Sequence, residues 1–213
     1  MKNIVPDVLN KYRKEVIVQL NTIEKSDILS RDEYKSKRKS LREKMVLRKK
    51  FRRVDIGPYV TMYFENKDTI IHQINEMVYI ENGGEEQIND EISAYKSLIP
   101  DGQELVATVM IEIDSPIRRA EFLAKMGGFE GQISIKIRDQ LIKGRAELDG
   151  DRTTADGKAS SVQFVHFEFD EKAVEIIKNN IDNVTISIDH ENYKHSSILN
   201  IDTVKELVKD FTS

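Results

Sequence analysis

Alternation gives way to helical spacing within one stretch of the chain, VTMYFENKDTIIHQINEMVYIEN at 60–82. Val60, Met62 and Phe64 alternate with Thr61, Tyr63 and Glu65, which predicts a strand over 59–65 with Tyr59, Thr61, Tyr63 and Glu65 on one face. Beyond Asn66 the period lengthens: Ile70, Ile71, Ile74, Met77 and Val78 gather on one side of a helix, with His72, Glu76 and Tyr79 opposite. Asn66 or Asp68 caps that helix, and Gln73 falls at the flank of its apolar stripe. Glu65 therefore ends a strand where the helix begins. There it either accepts hydrogen bonds in a rigid polar network or meets a ligand or partner.

The same reading extends along the chain. Val5, Val8, Leu9, Tyr12, Val16, Leu20 and Ile23 predict an amphipathic N-terminal helix, an extension over 1–25 ahead of one domain at 26–213. Ser30 and Glu33 form a capping-box signature for a basic helix with a narrow stripe of Tyr34, Leu41 and Met45. Gly57 and Pro58 break the pattern before the 59–65 strand. A second helix is expected at 85–98, and 105–113 is apolar on both faces, as in a central strand covered on both sides. Ser115 and Pro116 open a helix stopped by Gly127 and Gly128. Strands follow at 132–138, 142–148, 162–169 and 184–190, and helices at 170–179 and 201–211. Without a repeated βαβ period, the order predicts an α+β fold with a mainly antiparallel sheet.

Charge adds one feature. The net charge of −4 conceals 12 Lys and Arg against three acids over 31–53, a local +9 that leaves −13 for the remainder. Such a helix docks on an acidic body as a solvated face, or meets phosphate through Arg48, Lys49, Lys50, Arg52 and Arg53. Single-strand binders interleave aromatic platforms with their charge, and only Tyr34 and Phe51 serve here. Nucleic acid is thus the less favoured partner.

The chemistry is bounded mostly by exclusion. The chain has no cysteine, so it holds no disulfide, ligates no iron-sulfur cluster through thiolate and performs no thiol redox reaction. No apolar run approaches a membrane span and the first 20 residues lack a secretory core, which predicts a cytoplasmic protein. Phosphate-loop and GxSxG motifs are missing. The acidic loop at 149–161 has Thr154 at the turn-glycine position of an EF-hand and Ser160 at its final glutamate position. No histidine is preceded by Glu at three residues, so the Glu-x-x-His pairs of a di-iron bundle are lacking. Glu65, Glu112, His166 and His190 remain as oxygen and imidazole donors for a divalent metal, should the fold bring them together. His72 and Glu76 supply a weaker i, i+4 pair.

Several spaced residues carry a resemblance. Arg52, Arg53, Gly57 and Pro58, then FEN at 64–66, Thr69, Gln73, Glu76 and Met77, then LIPD at 98–101 and IE at 111–112 resemble domain-of-unknown-function family 3501. Asp189, His190 and Tyr193 add a C-terminal match. The resemblance covers the chain from about residue 26 onward, and His72 departs from the aromatic residue expected there. It implies no catalytic residues, because the family has no assigned activity. Its genes often neighbour those of rubrerythrin-like and iron-sulfur proteins, which implies a redox or oxidative-stress setting by association. It also marks Glu65, Asn66, Gln73, Glu76 and Glu112 as contacts for a ligand or partner. The expected function is that of an accessory or interaction protein with a protein partner or self-association. The alternatives are a small-ligand or divalent-metal-dependent enzyme and nucleic-acid binding through the basic helix.

Overall fold

The computed structural model describes residues 22–147 and 158–212. Residues 1–21 of the N-terminal helix expected over 1–25 and most of the 149–161 loop lie outside them; residues 22–24 are not helical, and a short 3-10 turn runs over Lys25–Asp27. From Ile23 onward the chain packs inward, with Ile23 and Ile28 buried beside the helices that follow.

Helix α1 spans Arg31–Lys49 and opens on the expected capping box, Ser30 and Glu33 satisfying each other's amides. Strands β1 (Arg53–Ile56) and β2 (Val60–Glu65) form a hairpin around Gly57 and Pro58, and α2 (Lys67–Glu81) follows. Asn66 caps α2: the Thr69 amide donates to Asn66 Oδ1 at 3.0 Å while Thr69 Oγ1 accepts the Asn66 amide at 2.9 Å. The helix ends at Asn82 in the left-handed region, a conformation asparagine tolerates better than most residues. Helix α3 (Glu85–Tyr95) leads into the long strand β3 (Glu104–Ile111), and α4 (Pro116–Leu123) starts from a Ser115 cap.

Next come β4 (Ile133–Ile137), β5 (Gln140–Lys143), β6 (Arg145–Ala146) and β7 (Val162–Glu168). Helix α5 (Glu171–Asn179), the hairpin of β8 (Val184–His190) and β9 (Tyr193–Ile198), and α6 (Ile201–Leu207) complete the order.

The strands make two antiparallel sheets, β1-β2-β3-β7-β6 and β5-β4-β8-β9. They face each other across one core that takes Val60, Met62 and Phe64 from β2, Leu105, Ala107 and Val109 from β3, and Ile133, Ile135, Val184 and Ile186 from the second sheet. The opposite face of the first sheet, through Val106 and Phe164, packs under α2 by way of Ile70, Ile74 and Val78 and under α3 by way of Ile88 and Ile92. The fold is α+β in three layers, helices on sheet on sheet. β3 is the middle strand of five, covered on both sides as its double-faced apolar pattern requires.

Two features join the sheets at their margins. Gly144 separates β5 from β6, so one expected strand at 142–148 is two, the first in one sheet and the second in the other. At the other margin the Tyr193 hydroxyl donates to the Ile56 carbonyl at 2.6 Å and accepts the Tyr59 amide at 3.1 Å, tying β9 to the β1–β2 turn.

Candidate functional site

The alternation of β2 places Thr61, Tyr63 and Glu65 on the face turned from the inter-sheet core. Glu65 reaches a cavity of about 440 Å³ between the first sheet and α2 and α3. Its side chain is enclosed, with 7% of the residue exposed. One carboxylate oxygen accepts the Thr69 hydroxyl at 2.5 Å and the other the Thr108 hydroxyl at 2.8 Å. Thr69 is also the residue that completes the α2 capping box, so the cap and the carboxylate form one network. Gln73 lines the cavity one turn further along α2, and Lys49 enters from the end of α1. Apolar walls come from Ile70, Leu98, Met110 and Phe164. No basic side chain lies within ion-pair distance of the Glu65 carboxylate among the described residues.

Glu76 lies on the other side of α2, and α1 covers it. Arg38 holds the carboxylate with two bonds, Nε to Oε1 at 3.0 Å and Nη2 to Oε2 at 2.8 Å, and the Tyr34 hydroxyl donates to Oε1 at 2.6 Å. The guanidinium bonds, ahead of the tyrosine bond, pull the Glu76 carboxyl down to about 2. Burial, then the bond to Glu76, pushes the Tyr34 phenol up. Tyr79 stacks edge-on against Tyr34 and lies under the Arg38 guanidinium. Arg48 pairs with Asp68 at the far end, so α1 runs antiparallel to α2. The face of α2 that bears His72 and Glu76 is therefore an internal joint. His72 is half-buried there, and burial lowers its pKa.

The four proposed metal donors are dispersed. Glu112 stands opposite Tyr59, with its amide on the Tyr59 carbonyl, so it is about 20 Å along β2 from Glu65. It accepts the Thr61 hydroxyl at 2.7 Å within a surface ladder that includes Asp55 and Arg53. His166 shares a row with Glu65 across the first sheet, but Val106 stands between them and spaces them about 10 Å apart. Its Nδ1 meets Glu104 Oε2 at 2.9 Å. His190 is in the second sheet, at the β8–β9 turn, where Nδ1 accepts the Asn192 amide at 3.3 Å. No group of three or more such side chains is placed to hold a metal ion among the described residues.

The proposed phosphate contacts also separate. Arg52 is 1% exposed and points inward: Nε donates to the Phe64 carbonyl at 2.9 Å, Nη2 to the Glu65 carbonyl at 3.0 Å, and the fork closes on Asp210. A guanidinium so engaged cannot present itself to a phosphate in solution. Arg53 joins the Asp55 and Glu112 ladder, Arg48 is paired, and Lys49 lines the cavity, which leaves Lys50 on the surface beside Phe51. The exposed ridge of α1 lies instead around Lys35, Lys39 and Arg42, with Val46 and Leu47, along an open groove of about 750 Å³.

Sequence reasoning missed Thr108, Arg38 and the inward turn of Arg52. Thr108 carries a faint signal, a hydroxyl in an otherwise apolar strand. Arg38 carries none, because it is one cation among many.

The three layers, the Glu65 cavity and the α1–α2 joint define an α+β protein with a buried polar site under a basic helix. The chain belongs to the family described as protein of unknown function (DUF3501), which matches residues 22–211. It is similar to a solved structure, a novel protein of unknown function from Burkholderia pseudomallei K96243, at 29% identity and a TM-score of 0.83. That similarity covers 89% of this chain and 99% of the other. Among curated proteins, none matches. No helix among the described residues is long and apolar enough to cross a membrane.

Proposed function

We propose that this chain is an accessory protein that docks an acidic, partly apolar segment of a partner protein along α1. The observation that supports this reading is the division of the helix into two edges. One edge is committed to the body through Arg38 with Glu76 and Arg48 with Asp68. The other carries Lys35, Lys39 and Arg42, exposed and without an ion pair among the described residues, beside Val46 and Leu47 at 69% and 67% exposure.

A partner of complementary charge with apolar side chains uses both components of that ridge. Nucleic acid uses only the charge. Tyr79, the one aromatic residue in the groove lining, is already engaged with Tyr34 and Arg38. The redox setting that the resemblance implies enters here as a proposal too, with a cysteine-free chain serving such a system as an adapter rather than as its thiol centre.

A photo-crosslinking residue at Val46, in the intact chain in its native cell, should trap an acidic protein. Purified, that protein should bind the chain and lose about tenfold or more in affinity to Lys39→Glu with Arg42→Glu. Steeply salt-dependent binding of an oligonucleotide, with no protein trapped, would overturn the reading.

A further inference from the structure

We propose that the cavity over Glu65 is a binding site for a small organic monocation, a protonated amine with an apolar body. The inference does not rest on the partner proposed for α1, since the groove along that ridge and this cavity share no lining residue.

The argument begins with what surrounds the carboxylate. Glu65 is withdrawn from solvent, and its two oxygens receive one neutral hydroxyl each, from Thr69 and Thr108. A carboxylate has roughly four acceptor positions, so acceptor capacity remains. Two neutral donors compensate a buried negative charge only in part, and a cation with N–H donors supplies the balance. The protein pairs no cation with this carboxylate among the described residues: Arg52, buried beside it, spends its fork on the backbone carbonyls of Phe64 and Glu65 and on Asp210, and Lys49 lines the cavity without an ion pair to Glu65.

The rest of the lining fits the remainder of such a ligand. Phe164, Met110 and Leu98 offer apolar and aromatic surface, and Gln73 and Tyr63 add polar groups on the same wall system. A volume of about 440 Å³ lies in the lower part of the usual range for small-molecule sites, about 300–1,000 Å³. That favours a single ring or a short alkyl chain. Lys49 is the one cationic side chain in the lining among the described residues; it opposes any positive charge near it, so the ammonium has to sit against Glu65, and a second positive charge, with no carboxylate of its own in the lining, is disfavoured. The site therefore selects monoamines over diamines by repulsion as well as by attraction.

The test uses the full-length protein at neutral pH with benzylamine, benzyl alcohol and benzoate as probes of equal shape and different charge. Calorimetry should show benzylamine binding about tenfold or more tighter than benzyl alcohol, with benzoate weakest. Amide NMR signals of Thr69 and Gln73 should move with benzylamine, while those of Lys39 and Val46 stay still. In Glu65→Gln the preference for the amine should vanish. Should that variant fail to fold, Phe164→Trp, which fills the cavity and leaves the charge in place, should block benzylamine instead. Equal affinity for amine and alcohol would overturn the proposal. So would undiminished amine binding in a folded Glu65→Gln or Phe164→Trp, or signal changes confined to α1.

Discussion

Arg38 grips both oxygens of Glu76, and this contact, with that of Arg48 and Asp68 further along, fastens the basic helix α1 to the outer side of α2. The Arg38 and Glu76 pair is mostly shielded from solvent and the Tyr34 hydroxyl reinforces it, so it differs from an ordinary surface ion pair. Holding the Glu76 carboxyl at about 2, against an ordinary value of 4.5, makes the joint sensitive to acid.

A depressed carboxylate contributes its full stability above the unfolded value and loses it as pH falls through the folded one. The window here runs from about 4.5 down to about 2, and the contribution has a ceiling on the order of 3 kcal/mol. Urea melts at a series of pH values should show wild type losing stability across that window. Glu76→Gln should start less stable at neutral pH and show a flatter profile through it. Parallel profiles for the two proteins would refute the assignment.

Arg52 leads to a different expectation from a surface arginine. Its guanidinium is the sole side-chain cation bonded to Asp210 among the described residues, and burial pushes the Asp210 carboxyl up while the guanidinium opposes that shift. Arg52→Met strands both a buried acid and two backbone carbonyls, and should cost about 3–5 kcal/mol. Arg52→Lys recovers only part of this, since an ammonium cannot reproduce the planar fork. Lys50→Met, on the surface two residues earlier, should stay within about 0.5 kcal/mol of wild type. Denaturant midpoints check all three. A near-neutral Arg52→Met would show that the buried fork is dispensable.

Tyr193 makes a third case, because one hydroxyl serves two backbone groups from different strands. Tyr193→Phe leaves the Ile56 carbonyl and the Tyr59 amide without this partner, and should cost about 1–3 kcal/mol. The adjacent Gly57 has φ of +69°, and a Cβ there would come within 2.6 Å of the Tyr193 hydroxyl oxygen. Gly57→Ala should therefore be destabilising as well, and the two substitutions should combine non-additively, since both act on one joint. Strict additivity in thermal melts would argue that they act separately.

Much of this architecture was legible because burial leaves a period in the sequence. The central position of β3 followed from apolar residues on both faces. The phases of β2 and α2 placed Phe64 in one core, Ile70, Ile74 and Val78 in the other, and Glu65 at the polar junction. β1 and β9 escaped for the same reason in reverse. RVDI alternates, but over only four residues, too few to stand out as a strand, and YKHSSI lies at a sheet edge with one buried position and shows no apolar alternation. The α1–α2 joint and the Thr108–Glu65 bond depend on tertiary approach and strand register. No local period reports those. Glu76 was legible as a contact residue, but its partner was hidden among equivalent cations.

Gly144 is the remaining position where the sequence read as one strand and the chain makes two. A Cβ added there would stand 2.6 Å from Val165 Cγ1, 3.0 Å from the Ile133 carbonyl oxygen and 3.1 Å from a Phe167 ring carbon. Its φ is not positive, so the demand is for space rather than for a left-handed backbone. β5 and β6 can leave for different sheets only if the crossing point passes this close to β4 and β7. Gly144→Ala should overpack the core at the crossing and cost about 1–3 kcal/mol, or roughly 2–12 °C in melting temperature for a domain of this size. Gly131→Ala, where nothing lies within 4 Å of the added carbon, should leave the melt unchanged. Removing the nearest obstacle separates steric crowding from any intrinsic backbone effect. In the Val165→Ala background, Gly144→Ala should be partly relieved, because Val165 Cγ1 is gone and only the farther contacts remain. An undiminished penalty in that background would mean that the backbone path at the crossing, and not the valine methyl, requires glycine.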